Sequence, residues 1–379
     1  MKEYFLYKGV WKGTKKLSGV AVENISSYLS GDDSWTPKKL RSNKNKSFKG
    51  SNVLGLGFTL SKEEADALVR SSPLESEVLY PYINGQDFNS TPKCSASRWI
   101  INYWDWPVER ASKYETSFSI VEKKVKPERQ RKKDNGDFKL REPLPTKWWM
   151  YNEKSPALYH AIGRGGKFEK HTKSWDENQP EKKYVLSRVI TSKHHAFALI
   201  PNKYVFDQTL VVFDTDRYQD FAICQSTIHF LWALKQGSSL ESRPRYNPAN
   251  CFETFPFCVG GFDNSFNSKL STLGESYHTS RTNFMLSNNI GLTKFYNLFH
   301  SPKYSCEKMT KIRELHNIID RTVAELYQWS DLELDLDFFP INFVGGEIRY
   351  CVRESTSIKI INRLTQLNLE YSTREENGK

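Results

Sequence analysis

Two arginines set on either side of a proline, Arg243 and Arg245 around Pro244, are the residue types in this chain best suited to phosphate or guanine. A guanidinium is a rigid, planar fork of N–H donors that meets two acceptors at once, on a phosphate or on the O6 and N7 edge of guanine. Proline fixes its own φ and pushes Arg243 toward extended backbone, so both forks are presented in place. They open the stretch RPRYNPANCFETFPF, residues 243–257, which is too broken by proline for a long helix and too aromatic for an idle linker. The competing reading puts Phe252, Phe255 and Phe257 into a core and leaves the arginines solvated.

Further basic side chains fall where rigid elements would hold them. Residues 122–147 carry ten basic and five acidic residues and run into Trp148, Trp149 and Tyr151. Cations beside flat rings suit a nucleic-acid backbone and its bases. Adjacent tryptophans leave a strand or helix on different faces, however, so core placement competes with base stacking. Lys193, His194 and His195 fall at the connection between two expected strands, and a hairpin tip carries such groups into a groove. The candidate DNA contacts are Arg98, Lys126, Arg129, Arg188, Lys193, His194, Arg243 and Arg245.

No catalytic constellation accompanies them. Methyl transfer to an exocyclic amine needs Asn or Asp before Pro-Pro and an aromatic ring that stacks on the flipped base, and Pro-Pro occurs nowhere in the chain. Neither GLGF at 55–58 nor GRGG at 163–166 sits between a strand and a helix, as a glycine-rich nucleotide or S-adenosylmethionine turn would. Acid-then-lysine pairs such as Glu122 and Lys124 arise by chance in charged runs, and Gly-x-Ser-x-Gly is absent. The six cysteines show no CxxC or zinc spacing, so they read as reduced thiols, and no metal site is expected.

The elements that must position the basic groups are mostly short. Ser61 and Glu64 form a capping box that predicts a helix over 62–71. Strands are expected at 78–83, 98–104, 184–190, 196–200 and 209–213, with turn residues between them. Apolar spacing predicts a weak helix near 20–29, one amphipathic helix over 218–235 stopping at Gly237, a long helix from Met309 to Trp329 and a final one over 358–367. Residues 31–52 are polar, basic and turn-rich, as a mobile linker or a merely solvated loop would be.

Charge follows the same division. The chain of 379 residues has a formal charge of +11, and residues 305–379 contribute ten basic against thirteen acidic residues, so the positive excess belongs to the front. That balance is of the nucleic-acid-binding kind. No stretch approaches eighteen apolar residues and the amino terminus has no apolar run behind its charges, so the expectation is a cytoplasmic protein with no membrane contact.

RYNPANCFETFPF, with GVAVENISSYL (19–29), SFKGSNVLGLGFTL (47–60), LYPYINGQDFNS (79–90), SRWIINYWDWP (97–107), VKPERQRKK (125–133), KWWMYNEKSPALYHAI (147–162) and GLTKFYNLFHSP (291–302), resembles the carboxy-terminal half of the MmeI-like restriction–modification enzymes. That resemblance implies a target recognition domain of an adenine-specific, type IIG DNA methyltransferase serving phage defence. It also implies double-stranded DNA as partner, a methyltransferase catalytic domain missing from this chain and supplied by a separately encoded subunit, and S-adenosylmethionine bound there. The expected fold class is α+β: residues 1–49 as methyltransferase edge and basic linker, a twisted, mainly antiparallel sheet recognition domain over 50–260, and a helical carboxy-terminal region over 261–379. A metal-dependent nuclease with dispersed carboxylates and a stand-alone RNA or single-strand binder are the alternatives.

Overall fold

The computed structural model describes residues 15–17, 20–22, 36–173, 175–240, 243–258, 262, 266–341 and 346–378, with backbone alone at 15–17, 20–22, 238–240 and 243. It divides into two compact units, Met1–Lys38 and Lys39–Lys379. In the first, β1 (Lys15–Leu17) pairs antiparallel with β2 (Val20–Val22). The β-branched Val20 and Val22 therefore sit in a strand where a helix was expected. The rest of that expected helix lies outside the described residues.

The second unit carries two four-stranded sheets. One is antiparallel throughout, in the order β3 (Ser47–Lys49), β10 (Leu210–Phe213), β7 (Tyr184–Val189), β8 (Phe197–Pro201). The other runs β4 (Thr59–Leu60), β6 (Arg98–Ile101), β5 (Leu79–Ile83), β9 (Val205–Phe206), with only the β5–β9 pair parallel. The fold is α+β, as the sequence predicts. Leu210–Phe213 and Phe197–Ile200 are buried at every position, so β10 and β8 are covered on both faces and read as apolar runs without alternation.

Helices supply the covers. Helix α1 (Lys62–Ser71) carries the expected capping box, with the Glu64 amide donating to Ser61 Oγ at 3.1 Å and the Ser61 amide donating to the Glu64 carboxylate at 2.7 Å. The single helix expected over 218–235 is two: α7 (Tyr218–Gln225) and α8 (Thr227–Gln236). Ser226 breaks the run, because its extended backbone lets Oγ accept the His229 amide at 3.2 Å and cap α8. Phe252, Phe255 and Phe257 are buried, as are Trp148 and Trp149, so the core reading holds for both aromatic runs.

Helices α9 (Ser268–Ser287), α10 (Leu292–Phe299), α11 (Glu307–Leu326) and α12 (Glu354–Glu376) form the carboxy-terminal part. Between α11 and α12 lies an antiparallel hairpin, β13 (Asp337–Ile341) and β14 (Glu347–Cys351). The sequence reading has no strands there. Helix α9 packs on α7 so closely that a Cβ on Gly274 would lie 2.2 Å from the Tyr218 carbonyl oxygen. Asn368 of α12 donates to the Thr254 carbonyl at 2.5 Å, so the last helix shares a core with the aromatic stretch.

Candidate nucleic-acid interface

Strand ends from both sheets converge on one open cleft of about 970 Å³. Lys49 ends β3, Arg98 starts β6 and Arg245 closes β12 (Arg243–Arg245), a short strand paired with β11 (Ser238–Leu240). Chain alternation sets the last of these: Tyr246 is buried and its amide donates to the Ile190 carbonyl at 2.7 Å, so Arg245 next to it faces outward and is exposed. None of the three cations makes an ion pair or a side-chain hydrogen bond with another described residue.

Two carboxylates also line the cleft, Glu128 and Asp207. Asp207 is already engaged: it accepts from the Tyr82 hydroxyl, from the Thr209 amide at 2.9 Å and from the Thr209 hydroxyl at 2.5 Å. Burial and then the Asp207 charge push the Tyr82 phenol well above its ordinary range, so it stays a donor. Thr209 in turn accepts the Gly85 amide at 2.9 Å, which ties the β9–β10 turn to the start of α2 (Gly85–Ser90). Gln208 stands on that turn and Gln86 at the start of α2, both exposed and both in the cleft. A carboxamide carries a donor and an acceptor side by side, the pattern that matches N6 and N7 of adenine.

The candidate contacts distribute unevenly. Arg98 and Arg245 meet in the cleft. The side chain of Arg243 lies outside the described residues. Lys126 is half-exposed, paired with Glu122 at 2.8 Å and 5.0 Å from the centre of the Trp148 ring. Lys193 is exposed, 3.7 Å from Glu347.

Three candidates are internal. Arg129 is 1% exposed and donates to the carbonyls of Val53 (2.8 Å), Leu54 (2.9 Å), Trp148 (3.2 Å) and Met150, and burial pulls its pKa down to about 10. Arg188 is buried against the rings of Tyr246 and Phe197 and donates to His195 Nδ1 at 3.0 Å. His194 is buried, with Nε2 2.9 Å from Asn297 Oδ1 and Nδ1 3.4 Å from Arg349 of β14. The hairpin tip expected to enter a groove is thus covered by the β13–β14 hairpin. The sequence carries no sign of that cover, because its strands lie more than a hundred residues away. The sequence reading in turn leaves out Lys49, Gln86 and Gln208 as contacts; the signal available is that both glutamines stand in turn sequences, NGQ and DQT.

Among the described residues no group of three or more His, Cys, Asp or Glu is placed to hold a metal ion, and no helix is long and apolar enough to cross a membrane. The five buried cysteines form no disulfide.

The cleft with its three cations thus lies where two mainly antiparallel sheets meet. No family model and no curated protein matches the chain. Among solved structures, the chain is similar to the type IIL restriction-modification enzyme MmeI, whose structure is of a complex with DNA, at 15% identity and a TM-score of 0.59. The alignment covers 93% of this chain and 39% of that one.

Proposed function

We propose that this chain reads the sequence of double-stranded DNA as the target-recognition part of a restriction–modification system, in partnership with an adenine-specific methyltransferase domain supplied by a separate subunit. The observation that carries the reading is the cleft itself: three cations that make no ion pair or side-chain hydrogen bond among the described residues, and two exposed carboxamides on its walls. The cations neutralise phosphates and fix register, while carboxamides and any guanidinium that reaches a base edge supply sequence preference. The fold shared with a DNA-bound restriction–modification enzyme supports the same reading. S-adenosylmethionine and the adenine pocket belong, in this proposal, to the methyltransferase domain. The assembly works in the cytoplasm, in type IIG fashion, against phage DNA.

Selection from a library of randomised duplexes by the full chain tests the proposal. The expected result is an enriched motif whose preference at one position relaxes in Arg245→Ala, with a loss of about 1–3 kcal/mol for that site. Enrichment of no motif, or preference for unpaired strands in competition, refutes it. Methyl incorporation into the selected duplex, measured with and without an added methyltransferase subunit, tests the division of labour.

A further inference from the structure

One part of the cleft wall is apolar, exposed and rigid together. Leu56 is 78% exposed and Leu54 44% exposed, and both line the cleft among its cations. Single exposed leucines are ordinary on a protein surface. These two differ in how they are held. Leu54 adopts φ +48, a left-handed conformation that a branched side chain rarely takes, and Gly55 follows at φ +126.

The loop does not relax out of that course because its neighbours fix it. The buried guanidinium of Arg129 grips the carbonyls of Val53 and Leu54. Gly57 approaches the end of helix α4 (Glu115–Lys124) so closely that a Cβ there would lie 2.6 Å from Val125 Cγ2 and 2.8 Å from Lys124 Cβ. Phe58 is fully buried, edge-on to Tyr151, and the Thr59 hydroxyl donates to the Leu56 carbonyl at 2.7 Å. The chain thus spends a buried arginine, a glycine contact and an anchored ring on presenting two leucines to solvent. A strained backbone over-determined by its surroundings marks a site where conformation serves a ligand.

We infer that Leu54 and Leu56 form an apolar wedge that enters the base stack of duplex DNA held in the cleft, unstacking one step. This deepens the proposed function and rests on it. Charge complementarity selects the partner: Lys49, Arg98 and Arg245 in the same cleft attract phosphates, and a duplex so held brings base pairs against the loop. Inserted leucines unstack and kink a duplex, and the larger protein surface that the bent DNA then wraps offsets the lost stacking. The wedge adds sequence preference without hydrogen bonds, because pyrimidine–purine steps open most readily.

The test uses the full chain on its selected duplex, with 2-aminopurine placed at successive positions to report local unstacking. Wild type should raise the emission at one step. Leu56→Ala and Leu54→Gly should abolish that rise while still binding the duplex; glycine accepts the backbone at position 54 freely, so the loop keeps its course, and unchanged thermal melting confirms folding. No emission rise at any position in the wild-type complex overturns the wedge while leaving DNA reading intact. So does an undiminished rise in both variants, or a Leu56→Ala variant that binds and unstacks DNA normally but loses association with a methyltransferase subunit. Failure of the wild type to bind any duplex overturns the DNA reading and the wedge with it.

Discussion

Arg188 lies with its guanidinium carbon 4.0 Å from the centre of the Tyr246 ring, both residues buried. Its Nη1 donates to His195 Nδ1 at 3.0 Å, and His195 Nε2 then donates to the Cys224 carbonyl at 2.7 Å. Arginine can only donate and a carbonyl can only accept, so the tautomer of His195 follows from its two partners. Arg188 is therefore an internal brace between β7 and the aromatic stretch. Arg188→Met should lower unfolding free energy by about 1–2 kcal/mol, since His195 loses its donor, and Arg188→Ala by about 3–5 kcal/mol, since a cavity is added. Urea unfolding measures both, and the motif selected by the folded Met variant should be that of the wild type.

Acid should unfold this protein well above the carboxylate range. Burial is the first cause that pushes His194, His229 and His278 each down to about 3. His194 shows how: its Nε2 donates to Asn297, so a second proton would go onto Nδ1, which faces the Arg349 guanidinium. The unfolded chain takes protons near pH 6.5 that the folded chain refuses until about pH 3, so stability is complete above that range and falls as pH drops through it. At pH 5 the loss is about 2 kcal/mol for each of the three. Urea unfolding from pH 7.5 to 4.5 should show the decline, and His194→Gln should make it shallower; a flat profile refutes the assignment.

Gly274 sits in the middle of α9, where alanine would ordinarily gain about 1 kcal/mol of helix stability. Here the added methyl would meet the carbonyl oxygen of Tyr218 at 2.2 Å and its carbon at 2.9 Å, backbone atoms that cannot rotate aside. Overpacking of this kind costs about 1–3 kcal/mol or more, and it outweighs the propensity gain. Gly274→Ala should lower the melting temperature, and Gly274→Ser no less so.

Local signals carried much of this fold into the sequence. The Ser61–Glu64 box placed α1 residue for residue, because a cap is a contact between neighbours. The strands around Val185, Phe197 and Val211 were legible from β-branched and aromatic runs. The basic residues were harder, since a guanidinium does not announce whether it meets solvent or a set of carbonyls. Arg129 and Arg245 look alike in sequence, each near a proline in a basic, aromatic stretch. Only tertiary packing separates them, by closing Val53, Leu54, Trp148 and Met150 around the first and turning Tyr246 inward beside the second. The β13–β14 pair escaped for the same reason: Phe338 and Tyr350 stand opposite each other in its register, and nothing local fixes that register.

Salt dependence should sort the cleft's cations by task. A side chain that neutralises a phosphate releases counterions, so its removal lowers the slope of log affinity against log salt by about 1 and weakens binding alike on every sequence. A guanidinium forked onto a base costs about 1–3 kcal/mol on the preferred site and relaxes preference at that position. Lys49, with a compact ammonium at the end of β3, suits the first task, whereas the exposed fork of Arg245 suits the second. Lys49→Ala should therefore flatten the salt slope and keep the selected motif, and Arg245→Ala should blur one position of that motif. Arg98→Ala, measured by the same titrations from 50 to 200 mM salt as roughly the span that separates the two behaviours, shows which of them β6 contributes. Equal slopes and unchanged motifs in all three variants would move the DNA path off this cleft.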